Sequence, residues 1–147
     1  MVKKRRLTVS LKRGEAMRVT RVSVGEEKVV YVLLADKKIC YTKGKSRIVY
    51  IGTTSKGVIR IARSAAVRAE DILRLRGVRE FHARVVTCKP RQSVKTWQKL
   101  EQALLITFRE LYGETPICNT HWKRKKATDH FDYFRKRRLE NVLEELS

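Results

Sequence analysis

The sequence predicts an α/β domain of the α+β type. It should hold a small, mainly antiparallel three-stranded sheet flanked by helices, with an N-terminal β extension and a C-terminal helix. Three observations predict it. Alternating and continuous apolar runs with short links fill the first third of the chain, the apolar period becomes helical near Val58, and alternation returns at Phe81 before two further helical stretches. Short links between the first strands favour antiparallel pairing, and amphipathic helices give the sheet its cover.

Taken in order, Leu7, Val9 and Leu11 alternate, followed by Met17 and Val19 and, after a change of phase, Val22 and Val24. Arg13-Gly14-Glu15 is turn-like, so one or two short strands are expected within residues 1–27. Val29 to Leu34 is a strongly apolar β-run that Ala35-Asp36-Lys37-Lys38 breaks. Ile39-Cys40-Tyr41 and Arg47-Ile48-Val49-Tyr50-Ile51 follow across the turn-like Lys43-Gly44-Lys45-Ser46, as a hairpin or short meander.

From Val58 the residues Val58, Ala62, Ala65, Ala66, Ala69, Ile72 and Leu73 recur at helical spacing and predict an apolar stripe that packs closely on a sheet. Phe81, Ala83 and Val85 alternate as a strand ended by Pro90. A second helix runs from about Val94 to Tyr112, with Gly113 at its C-cap and Pro116 beyond. Its stripe is Trp97, Leu104, Leu105, Phe108, Leu111 and Tyr112. The last helix, from about Asp129 to Leu146, offers Phe131, Phe134, Leu139, Val142, Leu143 and Leu146 for burial. The expected organisation is a basic β-rich extension (1–27), a central domain (28–122) and a basic C-terminal helix (123–147), packed on the domain or at a dimer interface.

Charge narrows the function. Among 147 residues, 35 Lys and Arg stand against 15 Asp and Glu, a formal +20. The excess is spread through all three segments rather than confined to a tail. Self-repulsion on that scale points to a polyanionic partner, and nucleic acid is the leading one. No run approaches the about 18 apolar residues of a membrane span. The basic Met1–Arg6 start has no apolar core behind it, so no secretory signal is expected. Cys40, Cys88 and Cys118, odd in number and widely spaced, read as reduced thiols of a cytoplasmic, nucleoid-associated protein rather than a disulfide framework.

One residue breaks the pattern of the second helix. Glu101 lies four after Trp97 and just before Leu104 and Leu105, inside the apolar stripe. Burying an unpaired carboxylate is costly, so Glu101 is expected to meet a cation: an arginine or a metal. On the first helix Arg60, Arg63 and Ser64 occupy the early turns, one face round from the alanines.

Tyr50-Ile51-Gly52, taken with Val29-Val30-Tyr31, Arg60, Glu101 and Pro116-Ile117-Cys118-Asn119, resembles the GIY-YIG nuclease family over about residues 28–122. The resemblance implies active-site tyrosines at Tyr31 and Tyr50, with Tyr41 as the competitor for the first. It implies Arg60 on the scissile phosphate, Glu101 as ligand of a single divalent cation (Mg²⁺ foremost, with Mn²⁺ as the alternative), and Asn119 supporting the site. The reaction implied is attack of water on a phosphodiester of DNA, DNA being preferred to RNA. A tyrosine serving as general base near pH 7 must move about 3 units from its ordinary pKa, or about 4 kcal/mol, and Arg60, Arg63 and a dication are expected to supply that. Three departures stand beside the match. The first motif lacks its glycine, residues 37–46 read as an inserted loop between the tyrosines, and Ser64 stands where many relatives carry a His. The missing glycine and histidine motivate an alternative, a non-catalytic DNA- or RNA-binding protein that keeps the fold, and a basic ribonucleoprotein subunit is a third reading.

Further cations suited to phosphate contact are Lys56, Arg63 and the run Lys123, Arg124, Lys125, Lys126 after Trp122, then Arg135-Lys136-Arg137-Arg138. Cys118 and His121 have half of a zinc spacing, but Cys40, Cys88 and His82 supply no paired knuckle, and Cys118 reads as a core residue. His82 and His130 read as surface residues. A homodimer through the last helix would suit two-strand cleavage. No membrane partner is expected.

Overall fold

The computed structural model describes residues 6–16, 18, 26–121 and 130–147. Its order is β1 (Val29–Tyr41), β2 (Gly44–Thr54), α1 (Val58–Leu73), β3 (Phe81–Val86), α2 (Thr96–Tyr112), α3 (His130–Tyr133) and α4 (Lys136–Leu146). The three strands form one antiparallel sheet, as the sequence predicts, and their order in it is β2-β1-β3.

Central β1 is apolar without alternation because both of its faces are covered. Val30, Val32 and Leu34 pack with Leu100, Ala103, Leu104 and Phe108 of α2. Val29, Tyr31, Leu33 and Ala35 pack with Ile61 and Ile72 of α1. α4 lays Leu139, Leu143 and Leu146 into the α2 side, so the last helix closes its own domain's core. No helix among the described residues is long and apolar enough to cross a membrane.

Several expectations change. Residues 6–12 form no strand, and Leu7, Val9 and Leu11 are each more than nine-tenths exposed. Alternation makes a strand only where a neighbour completes the hydrogen-bond ladder, and no described strand lies beside them. Met17, Val19, Val22 and Val24 lie outside the described residues.

The Ala35–Lys38 break interrupts pairing rather than the strand. β1 shifts register against β2 between Leu33 and Leu34 and again before Ile39, while Ala35 still pairs with Phe81 of β3. Residues 37–46 are therefore a long hairpin end rather than an inserted loop, turning at Thr42-Lys43. The turn is anchored where the Lys43 N–H donates to the Tyr112 carbonyl at 2.9 Å. Gly113 ends α2 with φ 84°, the left-handed C-cap its sequence predicts.

α1 has its expected limits but a different phase. Ile61 and Ile72 are buried and Ser64, Ala65 and Arg68 half-buried, whereas Ala62 and Ala66 face solvent. Two large isoleucines bury more apolar area than alanines do, and they set the rotation. The expected single C-terminal helix is two, α3 and α4, because Arg135 is extended at ψ 124°. Phe131 is 37% exposed, and His130, expected on the surface, is buried.

Candidate active site

The site is built on the sheet face beneath α1. Tyr31 of β1 stands opposite Gly52 of β2, and Leu33 opposite Tyr50, so the register puts both tyrosines on one face. Their ring centroids are 5.9 Å apart. Glycine is required between them. A Cβ at Gly52 would lie 2.7 Å from the Tyr31 hydroxyl oxygen and 2.7 Å from Cε1 of Tyr50, well inside van der Waals contact. The Tyr-Ile-Gly sequence thus has a packing reason: the rings occupy the space a side chain would fill.

Helix α1 closes this cluster from above. The Tyr31 hydroxyl donates to Ser64 Oγ at 2.6 Å. Tyr31 is only 4% exposed, and burial pushes its pKa up to about 12. The Ser64 hydrogen bond and the Arg68 charge pull the other way, and the nearby Tyr50 adds to the rise. At Tyr31 desolvation outweighs the neighbouring cation. Arg60 and Arg63, expected to supply that cation, are both exposed on the outer side of α1.

The cation that reaches the tyrosines is Arg68, which the sequence reading missed. Its Nη2 donates to the Tyr50 hydroxyl oxygen at 3.0 Å, its Cζ sits 3.7 Å from the Tyr50 ring centroid, and its Nη1 donates to the Cys118 carbonyl at 3.4 Å. The signal was present. Arg68 falls in register with Ile61, Ser64 and Ile72 on the helix, and it breaks that stripe as Glu101 breaks the next.

Asn119 holds the outer edge of β2. Its Nδ2 donates to the Ile51 carbonyl at 2.9 Å, and its Oδ1 accepts from the Ile51 N–H at 3.0 Å. The Cys118 N–H donates to the Val49 carbonyl at 2.9 Å. Residues 118 and 119 thereby satisfy backbone groups on both sides of Tyr50 that an edge strand would otherwise leave open.

Tyr41 belongs elsewhere. It packs edge-on to Phe108 on the α2 side of the sheet, donates to the Ile48 carbonyl at 2.6 Å and accepts from the Ile117 N–H at 3.1 Å. Burial pushes its pKa upward as well. Its hydroxyl braces the hairpin, and Tyr31 alone of the two shares a face with Tyr50.

Glu101 is half-buried on α2, whose core residues cover the sheet face opposite Tyr31 and Tyr50, and its Oε1 accepts from the Gln102 side chain at 3.2 Å. Among the described residues no group of three or more His, Cys, Asp or Glu side chains is arranged to hold a metal. One carboxylate per site fits Mg²⁺, a hard ion that keeps most of its coordination as water and phosphate oxygens. Lys56 is exposed in the loop before α1. Lys136 pairs with Glu110 at 2.7 Å and Arg137 with Glu140 at 3.3 Å, so part of the C-terminal basic run faces acids of its own chain. Trp122 and the run Lys123, Arg124, Lys125, Lys126 lie outside the described residues.

Comparison of the chain with models of protein families, with curated proteins and with solved structures gives no match.

Proposed function

We propose that the protein is a metal-dependent endonuclease that hydrolyses phosphodiester bonds of DNA through a GIY-YIG-like site. The observation that carries this reading is the tyrosine pair packed over Gly52 under a helix bearing Ser64 and Arg60, with Asn119 bracing the Tyr50 strand. A strand motif resembling a known nuclease motif acquires a reason here, since each of its three residues has a separate job: ring, edge bond and clearance.

The chemistry follows from what each group can do. Exposed Arg60 suits a phosphate oxygen, because a guanidinium fork matches two of them. Tyr31 acts as a neutral hydroxyl, since ionising it at pH 7 from about 12 would cost about 7 kcal/mol. It can donate or relay hydrogen bonds through Ser64 but is a poor proton acceptor. Tyr50, whose oxygen already accepts from Arg68, is the tyrosine suited to accept the proton of the attacking water. Glu101 would hold the divalent cation, which when bound stabilises charge on the phosphate and leaving oxygen.

One observation favours a second reading, a non-catalytic nucleic-acid binder of the same fold: Glu101 is carried by the helix on the other face of the sheet from the tyrosines. Supercoiled plasmid incubated with Mg²⁺ or with EDTA separates the two. Nicking that EDTA abolishes supports the nuclease, and retarded but intact plasmid under both conditions supports the binder. Competition between duplex DNA and structured RNA then assigns the preferred polymer.

A further inference from the structure

Of the three arginines on α1, only Arg68 is drawn inward. Its guanidinium lies over the Tyr50 ring at 3.7 Å and bonds the Tyr50 oxygen at 3.0 Å and the Cys118 carbonyl at 3.4 Å. Its Nε is buried without a hydrogen-bond partner. A guanidinium so committed is poorly placed to receive a phosphate, a task left to exposed Arg60 and Arg63. The Cys118 tether has its own consequence. Residues 118 and 119 are bonded to the edge of β2 on either side of Tyr50, so Arg68 ties the helix to the segment that fixes the tyrosine's strand. Tyr31 offers the contrast, for it is buried with its hydroxyl directed to Ser64.

On the nuclease reading above, we infer that Arg68 is a positioning residue: it clamps the Tyr50 ring and sets positive charge on its hydroxyl oxygen, so that Tyr50 rather than Tyr31 takes the proton of the attacking water. In that step the water oxygen bonds phosphorus as its proton passes to the Tyr50 oxygen, which hands its own hydroxyl proton to solvent. The bond from phosphorus to the leaving oxygen breaks, and that oxygen takes a proton from solvent. The Arg68 guanidinium, already bonded to the Tyr50 oxygen, offsets the negative charge that develops there during the step.

Two substitutions test it in the full chain. Arg68→Met keeps the stem and removes the charge, and Arg68→Lys returns the charge without the planar fork. Plasmid nicking with Mg²⁺ gives kcat and KM, and NMR of protein carrying ¹³C-labelled tyrosine, assigned with Tyr50→Phe, reports the clamp independently of turnover. Arg68→Met should lower kcat about 100-fold with KM little changed. It should also move the Tyr50 ring signals while leaving those of Tyr133 in place. Arg68→Lys should recover part of kcat. Wild-type kcat in Arg68→Met, unmoved Tyr50 signals, or an Arg68→Lys no better than Arg68→Met overturns the inference. Should Arg68→Met not fold, a wild-type kcat in Arg68→Lys overturns it. A native protein that never nicks DNA sinks the nuclease reading and this role with it, whereas nicking with an indifferent Arg68 sinks the role alone.

Discussion

Gly52 concentrates the demands on the site into one missing side chain. Two tyrosine rings close over it, so the smallest addition meets both. Gly52→Ala should cost about 1–3 kcal/mol through overpacking, read as a lower denaturant midpoint, and should part the two rings. A variant as stable as the native protein would contradict the packing described. Tyr31 supplies a second test at this scale. Its folded pKa of about 12 exceeds the unfolded value of about 10, so the unfolded chain releases the proton first. The stability it contributes is intact below about pH 10 and falls as the pH rises towards 12, by about 2–3 kcal/mol. Tyr41, also shifted upward, adds to the loss. Tyr31→Phe should flatten that alkaline fall in denaturant titrations, and an unchanged fall would mean that burial does not set the Tyr31 ionisation.

The elements were legible where one physical signal dominated. The α2 limits followed from its stripe and from Gly113, whose φ of 84° is cheap for glycine. The β1–β2 hairpin followed from its apolar runs, yet its length did not. Asp36, Lys37 and Lys38 read as a break because their side chains are exposed, yet the strand continues through them and the Asp36 N–H donates to the Glu80 carbonyl at 3.1 Å. In α1 the alanines recur at helical spacing, but rotation follows the residues with most area to bury, Ile61 and Ile72. That rotation decided the site. It turned Arg60 and Arg63 outward and brought in Arg68, which no motif had marked. The C-terminal helix offers a direct test of element packing. Leu143 is fully buried against the α2 side, so Leu143→Ala should cost about 2–5 kcal/mol by chemical denaturation. A loss under about 0.5 kcal/mol, the range of surface substitutions, would mean that α4 is dispensable to the core.

At the scale of the whole molecule, a sheet covered on both faces divides the candidate site residues between two helices. α1 closes over the tyrosines, and α2 carries Glu101 on the other side. The sequence made Glu101 conspicuous because a carboxylate interrupts an apolar stripe, but linear spacing carries no information about which sheet face a helix will cover. The net charge of +20 has a place in the same picture. Exposed Arg60, Arg63 and Lys56 would give a polyanion long-range attraction, whereas the inward Arg68 is committed to Tyr50 and the Cys118 carbonyl. The claim that this basic domain cuts what it binds rests on Glu101. Glu101→Gln removes the carboxylate charge and keeps the shape, so nicking of supercoiled DNA in Mg²⁺ can be compared with binding of the same DNA by mobility shift. The account predicts nicking no greater than in EDTA, with binding unchanged. Nicking at the native rate by Glu101→Gln would contradict it.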